Sequence, residues 1–78
     1  MLQDYLDYKN YHISIYKDVD YENCYYCEVY IRPDDDPNDY LRDEPIDNFC
    51  VFMKDYKGKT MTEAVLEHFE KYIESEVE

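Results

Sequence analysis

One glycine, Gly58, occurs in the 78 residues, and that scarcity excludes both common phosphate-cradling glycine loops, which need several glycines at fixed spacing. Uninterrupted apolar runs reach only a few residues, far short of a membrane span. Basic side chains are scarce as well: eight lysines and arginines stand against twenty acids, for a formal net charge of −12. That balance argues against direct binding to DNA, RNA or an anionic membrane, because like charges repel. The three cysteines, Cys24, Cys27 and Cys50, are few and odd in number, which fits a reducing cytoplasm better than a secreted disulfide scaffold. Residues 1–10 carry three charges and no long apolar run, so no secretory signal peptide is expected.

What the chain does have is tyrosine. Eleven of them lift the aromatic share to 18%. Disordered chains carry such charge easily but lack aromatics, so this chain is expected to fold. Its length leaves room for one small acidic domain spanning residues 1–78, with one small core and no large enclosed catalytic pocket.

The N-terminal ten residues are ambiguous. Leu2, Tyr5 and Leu6 fall at helical spacing, and Tyr5, Tyr8 and Tyr11 step by three, which suggests a short N-terminal helical turn. From there Tyr11, Ile13 and Ile15 alternate with His12, Ser14 and Tyr16, the period of a half-buried strand over residues 11–17. A second strand, residues 24–32, sets Tyr25, Cys27, Val29 and Ile31 on one face and Cys24, Tyr26, Glu28 and Tyr30 on the other. The short polar connection over residues 18–23 argues an antiparallel hairpin. Pro33 ends the second strand. Residues 33–48 read as an exposed loop, with a short helical turn around residues 38–42 that Asp36 would cap and Pro37 would open. A third strand follows at residues 49–53, then a turn carrying Gly58. The clearest element is last: Thr60-Met61-Thr62-Glu63 is a capping box. Met61, Val65, Leu66, Phe69, Tyr72, Ile73 and Val77 then mark one helical face. The expected fold is therefore α+β, a three-stranded antiparallel sheet with one C-terminal helix, over residues 61–75, packed on one face.

The acids are not spread evenly. Residues 34–48 hold seven (Asp34, Asp35, Asp36, Asp39, Asp43, Glu44 and Asp47) against one base, Arg42. On the helix, Glu63, Glu67, Glu70 and Glu74 recur at spacings of four, three and four, which aligns them on one stripe. Each step rises roughly 5 to 6 Å, so the stripe loosely resembles a row of phosphates. Like charges at this spacing are mildly destabilising, and nothing on the stripe itself offsets them. Lysines and arginines that pair with phosphate pair with carboxylate through the same charge-assisted hydrogen bonds. The bland alternative is a solvated helix face. Tyr16, Tyr26 and Tyr30 should lie on the sheet face away from the helix, where tyrosine is a good interface anchor, or simply a half-buried β-former.

Other constellations fail. Asp34-x-Asp36-x-Asn38 and Asp18-x-Asp20-x-Glu22 begin like calcium loops, but Pro45 and Val29 stand where the twelfth-position glutamate belongs. Cys24-x-x-Cys27 lies in a strand pattern that sends its members to opposite faces, and only Cys50, His12 and His68 could complete a metal site. Neither histidine has a nucleophile at motif spacing, and Ser14 and Ser75 lack an elbow context. His68 is expected to edge the core. Lys54, Lys57 and Lys59 are expected to offset the charge of the fold. No catalytic residue, metal or cofactor is expected, and no enzymatic activity.

In charge, size, tyrosine content and absence of a catalytic motif, the chain is similar as a class to the small acidic inhibitors that phages and mobile elements direct against host nucleases, of anti-restriction or anti-CRISPR type. That likeness carries no residues over. It implies a cytoplasmic protein whose carboxylates and tyrosines block the basic nucleic-acid-binding site of a nuclease or other defence enzyme. The alternative is a small interaction module (an antitoxin, an adaptor or a homodimeric subunit) that binds through the tyrosine face.

Overall fold

The computed structural model describes residues 2–31 and 44–77. Its first element corrects an expectation. Residues Leu2–Tyr8 form a strand, β1, rather than a helical turn. It pairs antiparallel with β2, Tyr11–Lys17, and β3 (Cys24–Ile31) and β4 (Asp47–Phe52) follow in the order β1-β2-β3-β4. The sheet thus has four antiparallel strands, not three. The helical spacing at the N-terminus has two strand-based causes. The register slips between Leu2 and Asp4, which places one extra residue, Gln3, in β1 as a bulge. Leu2 and Tyr5, three apart, consequently face Tyr16 and Ser14 on the same side of the sheet. Tyr8 and Tyr11, also three apart, are a cross-strand pair flanking a turn in which Lys9 takes φ of 55°. A left-handed lysine is uncommon, and no glycine marks this turn.

The β2–β3 connection is organised by Asp18. Its carboxylate accepts from the backbone N–H of Asp20 and Tyr21, at 2.7 and 3.3 Å, an Asx turn. The Asp18 N–H reaches the Cys24 carbonyl at 3.0 Å. Asp18, which had opened a failed calcium pattern, thereby serves the turn. After β4, a short 3-10 turn at Met53–Asp55 leads to Gly58, whose φ of 83° suits glycine. The expected helical turn within residues 38–42 and the Pro33 strand end lie outside the described residues.

Helix α1 starts at Met61 as the capping box requires. The Thr60 hydroxyl accepts from the Glu63 N–H at 3.2 Å, and the Glu63 carboxylate accepts from the Thr60 N–H at 2.8 Å. The helix is α-helical over Met61–His68, passes through a π segment at Phe69–Ile73, and returns to α at Glu74–Val77. Ala64, Val65, Phe69 and Ile73 are buried against the sheet. Tyr72, expected on the apolar face, is 58% exposed instead. Phe69 is the centre of the core, with no exposed surface. Tyr11, Tyr8 and Phe49 surround it at ring-centroid distances of 5.3, 5.9 and 6.4 Å. Ile13, Ile15, Cys27, Val29 and Val51 complete the layer between sheet and helix. No helix is long and apolar enough to cross a membrane among the described residues.

Candidate interaction surface

The helix covers one face of the sheet, and among the described residues no element packs over the other, the open face. Strand register decides which side chains share that open face. Tyr16 stands opposite Tyr26, Ser14 opposite Glu28, and His12 opposite Tyr30. Tyr5 and Asp7 flank Ser14 and His12 from β1. Asn48 and Cys50 flank Glu28 and Tyr26 from β4. Rings contact one another across the strands. Tyr16 and Tyr26 lie 6.3 Å apart between centroids, Tyr5 stacks on His12 at 5.2 Å, and His12 meets Tyr30 at 6.4 Å. His12 and Ser14 are buried beneath these neighbours, and His12 Nδ1 lies 2.8 Å from the Asp7 carboxylate. Tyr16, Tyr26 and Tyr30 are half-buried, and Tyr5 is 55% exposed.

Glu28 is the feature that sequence reading passed over. It lies between Tyr26 and Tyr30 on the same strand face and is half-buried. Its Oε1 accepts a long hydrogen bond from the Tyr30 hydroxyl at 3.3 Å. Burial first, and the Glu28 charge next, push the Tyr26 and Tyr30 hydroxyls above the usual phenol range, so both remain protonated donors. The alternation Tyr26-x-Glu28-x-Tyr30 was the signal available for it.

The helix carboxylates have a different part. An uncompensated stripe was expected, yet three of its members are engaged. Glu63 closes the capping box, and that bonding to Thr60 lowers its carboxyl. Glu67 lies between Lys59 and Lys71, each at 3.2 Å, and the two ammonium groups hold its carboxyl down. The Glu74 side chain is 14% exposed; it meets the Lys9 ammonium at 2.6 Å and the Tyr8 hydroxyl at 3.5 Å. Glu70 is exposed. A π turn also winds more slowly than an α turn, so Glu70 and Glu74 are rotated about the axis relative to Glu63 and Glu67. The offset comes from Lys9, far away along the chain, from Lys59 just before the helix cap, and from Lys71 on the same helix. Sequence spacing alone does not reveal the Lys9 partner.

Of the loop acids, Asp34, Asp35, Asp36, Asp39 and Asp43 lie outside the described residues. Glu44 is exposed. Asp47 opens β4 opposite Val29, on the helix side, and its carboxylate accepts from the Asn48 N–H at 2.8 Å. The basic turn is partly engaged: Lys59 pairs with Glu67, and Lys54 sits over the Phe52 ring at 5.8 Å. Cys24 and Cys27 are buried on opposite faces. His68 edges the core, stacked on Phe49 at 5.2 Å, with its Nδ1 2.9 Å from the Tyr56 hydroxyl. Among the described residues no group of three or more His, Cys, Asp or Glu side chains is placed to hold a metal ion. No protein-family model matches the chain, and neither a characterised protein nor a solved structure matches it at a significant level.

Proposed function

We propose that this chain is a non-enzymatic acidic inhibitor that occupies the positively charged nucleic-acid-binding site of another protein, of the kind found in nucleases and defence enzymes. The observation that carries the reading is the sheet face that no described element covers, where Tyr26 and Tyr30 flank Glu28 and Tyr5 lies beside Asp7, on a chain of net charge −12. Three of the eight basic residues, Lys9, Lys59 and Lys71, are drawn to helix carboxylates. Those lysines do not neutralise Glu28 on the sheet face, and the sequence between β3 and β4 adds a further run of acids. Carboxylates compete with phosphates for the same lysines and arginines. Tyrosines supply the contact that salt does not screen.

The test is a tagged pull-down from host-cell lysate, washed at rising salt, with mass spectrometry of the eluate. A nucleic-acid enzyme released by salt and displaced by added DNA or RNA is the expected result. A partner indifferent to both salt and nucleic acid would overturn the inhibitor reading. It would favour instead a small interaction module or homodimer binding through the tyrosine face, a reading that the same face supports.

A further inference from the structure

We propose that the open sheet face is a guanidinium site: Glu28, set between Tyr26 and Tyr30 on β3, opposite Ser14 and diagonal to Tyr16 on β2, takes an arginine side chain presented by a basic segment of the partner protein. The proposal rests on the reading that this face meets a basic partner, and it names the chemistry of the contact.

Three observations converge on it. The first is an uncompensated charge. Glu28 is half-buried in a tyrosine setting, it accepts from the Tyr30 hydroxyl at 3.3 Å, and it pairs with no cation among the described residues. Three helix glutamates, by contrast, have an ammonium or a backbone N–H: Glu63 has the Thr60 N–H, Glu67 has Lys59 and Lys71, and Glu74 has Lys9. The second is the surrounding π surface. Tyr16 and Tyr26 are tilted by 39° at 6.3 Å, and Tyr30 lies on the other side of Glu28, so ring faces and edges flank the carboxylate. The third is charge complementarity over distance, since the chain carries −12. Among the described strand residues no lysine or arginine is on the open face: Lys17 pairs opposite Tyr25, on the helix side.

These features select arginine over lysine. A guanidinium is planar, stacks on aromatic rings and offers parallel N–H groups to both oxygens of a carboxylate. It is also more weakly hydrated than an ammonium, so entering a half-buried aromatic setting costs it less. An ammonium gains the Coulomb attraction but neither the stacking nor the paired hydrogen bonds.

The experiment titrates the folded chain with an arginine homopeptide and a lysine homopeptide of equal length, by calorimetry and by NMR of the tyrosine ring resonances. Both peptides are attracted by the net charge, so the preference between them is the readout. The arginine peptide should bind roughly tenfold tighter, the scale of one charge-assisted hydrogen bond, and should shift the Tyr16, Tyr26 and Tyr30 resonances. Glu28→Gln and, separately, Tyr26→Leu should remove most of that preference. Glu76→Gln, which deletes the same charge from an exposed helix position, should keep it. Equal affinity for the two peptides, a preference that survives Glu28→Gln and Tyr26→Leu in folded protein, or a face occupied by a second copy that excludes both peptides would each overturn the proposal. Failure here is separable from failure of the inhibitor reading. A salt-sensitive nuclease in the pull-down without arginine preference sinks only the guanidinium site, and arginine preference without such a partner sinks only the inhibitor.

Discussion

Three thiols separated by a few residues, or by one strand, differ sharply in chemistry because strand parity and burial differ. Cys27 faces the helix with no exposed surface, and burial pushes its thiol up to about 12. Cys24, on the opposite face, is 1% exposed and is raised by burial in the same direction. Cys50 is exposed. A thiolate is the reacting species, so a chromogenic thiol reagent at neutral pH should modify Cys50 alone in native protein and all three cysteines in denaturant. Rapid modification of Cys24 or Cys27 in the native state would contradict the packing. His68 offers a second residue-level test. Burial against Phe49 and Tyr56 lowers its pKa below the unfolded value of 6.5, with Asp55 opposing. The unfolded chain therefore binds the proton first as pH falls. This contribution to stability is intact above about 6.5 and is lost as pH drops toward the folded value. Melting curves between about pH 7.5 and 5 should show a steeper acid loss for the native chain than for His68→Gln; parallel curves would rule the contribution out. At this scale parity was legible in the sequence. Alternation separated Cys24 from Cys27 and put Tyr16, Tyr26 and Tyr30 on one face. The same parity puts Glu28 between Tyr26 and Tyr30, whereas the approach of Tyr16 from β2 depends on cross-strand register, which the sequence does not carry.

Elements were legible where a local rule and the tertiary fold agree. Strands β2 and β3 alternate cleanly, and both halves of the Thr60–Glu63 box form. Strand β1 was hidden because a bulge at Gln3 and a glycine-free turn at Lys9 reproduce a helical spacing of tyrosines and leucines. What makes it a strand is its pairing with β2 and the packing of Leu6 and Tyr8 on the core, which no window within residues 1–10 contains. The π segment escaped notice for a similar reason, since a uniform helical wheel carries Tyr72 onto the buried face whereas the slower turn leaves it out. The cap is the element-scale feature most open to measurement. Thr60→Ala removes the hydroxyl that accepts from Glu63 N–H and should destabilise the fold by about 1 kcal/mol. For a domain of this size that corresponds to a fall in Tm of about 4–8 °C. Thr60→Ser should recover most of it, because the hydroxyl returns. A Tm unchanged in Thr60→Ala would mean that sheet packing alone holds the first helical turn.

Across the whole molecule, charge acts with opposite sign on folding and on binding. Twenty acids against eight bases repel one another in the compact state, a cost that added salt screens. Against it stand the exposed or half-exposed ion pairs Lys9–Glu74, Lys59–Glu67 and Lys71–Glu67, which the same salt weakens but which contribute little individually. With a net charge of −12, the repulsion should prevail. The Tm of the free chain should rise as sodium chloride increases from about 10 to 200 mM, over which the screening length contracts from about 30 Å to under 10 Å. Affinity for a basic partner should fall over the same range, because the long-range attraction is screened while the tyrosine contacts persist. Thermal melts and titrations in one salt series measure both slopes. A Tm that falls with salt would mean that the ion pairs tying the helix to Lys9 and Lys59 dominate the self-repulsion. An affinity flat in salt would mean that the tyrosine face binds without the charge. Only the combination of a stabilised chain and a weakened complex fits a protein whose surplus carboxylates are kept, at a cost in folding, for the surface they meet.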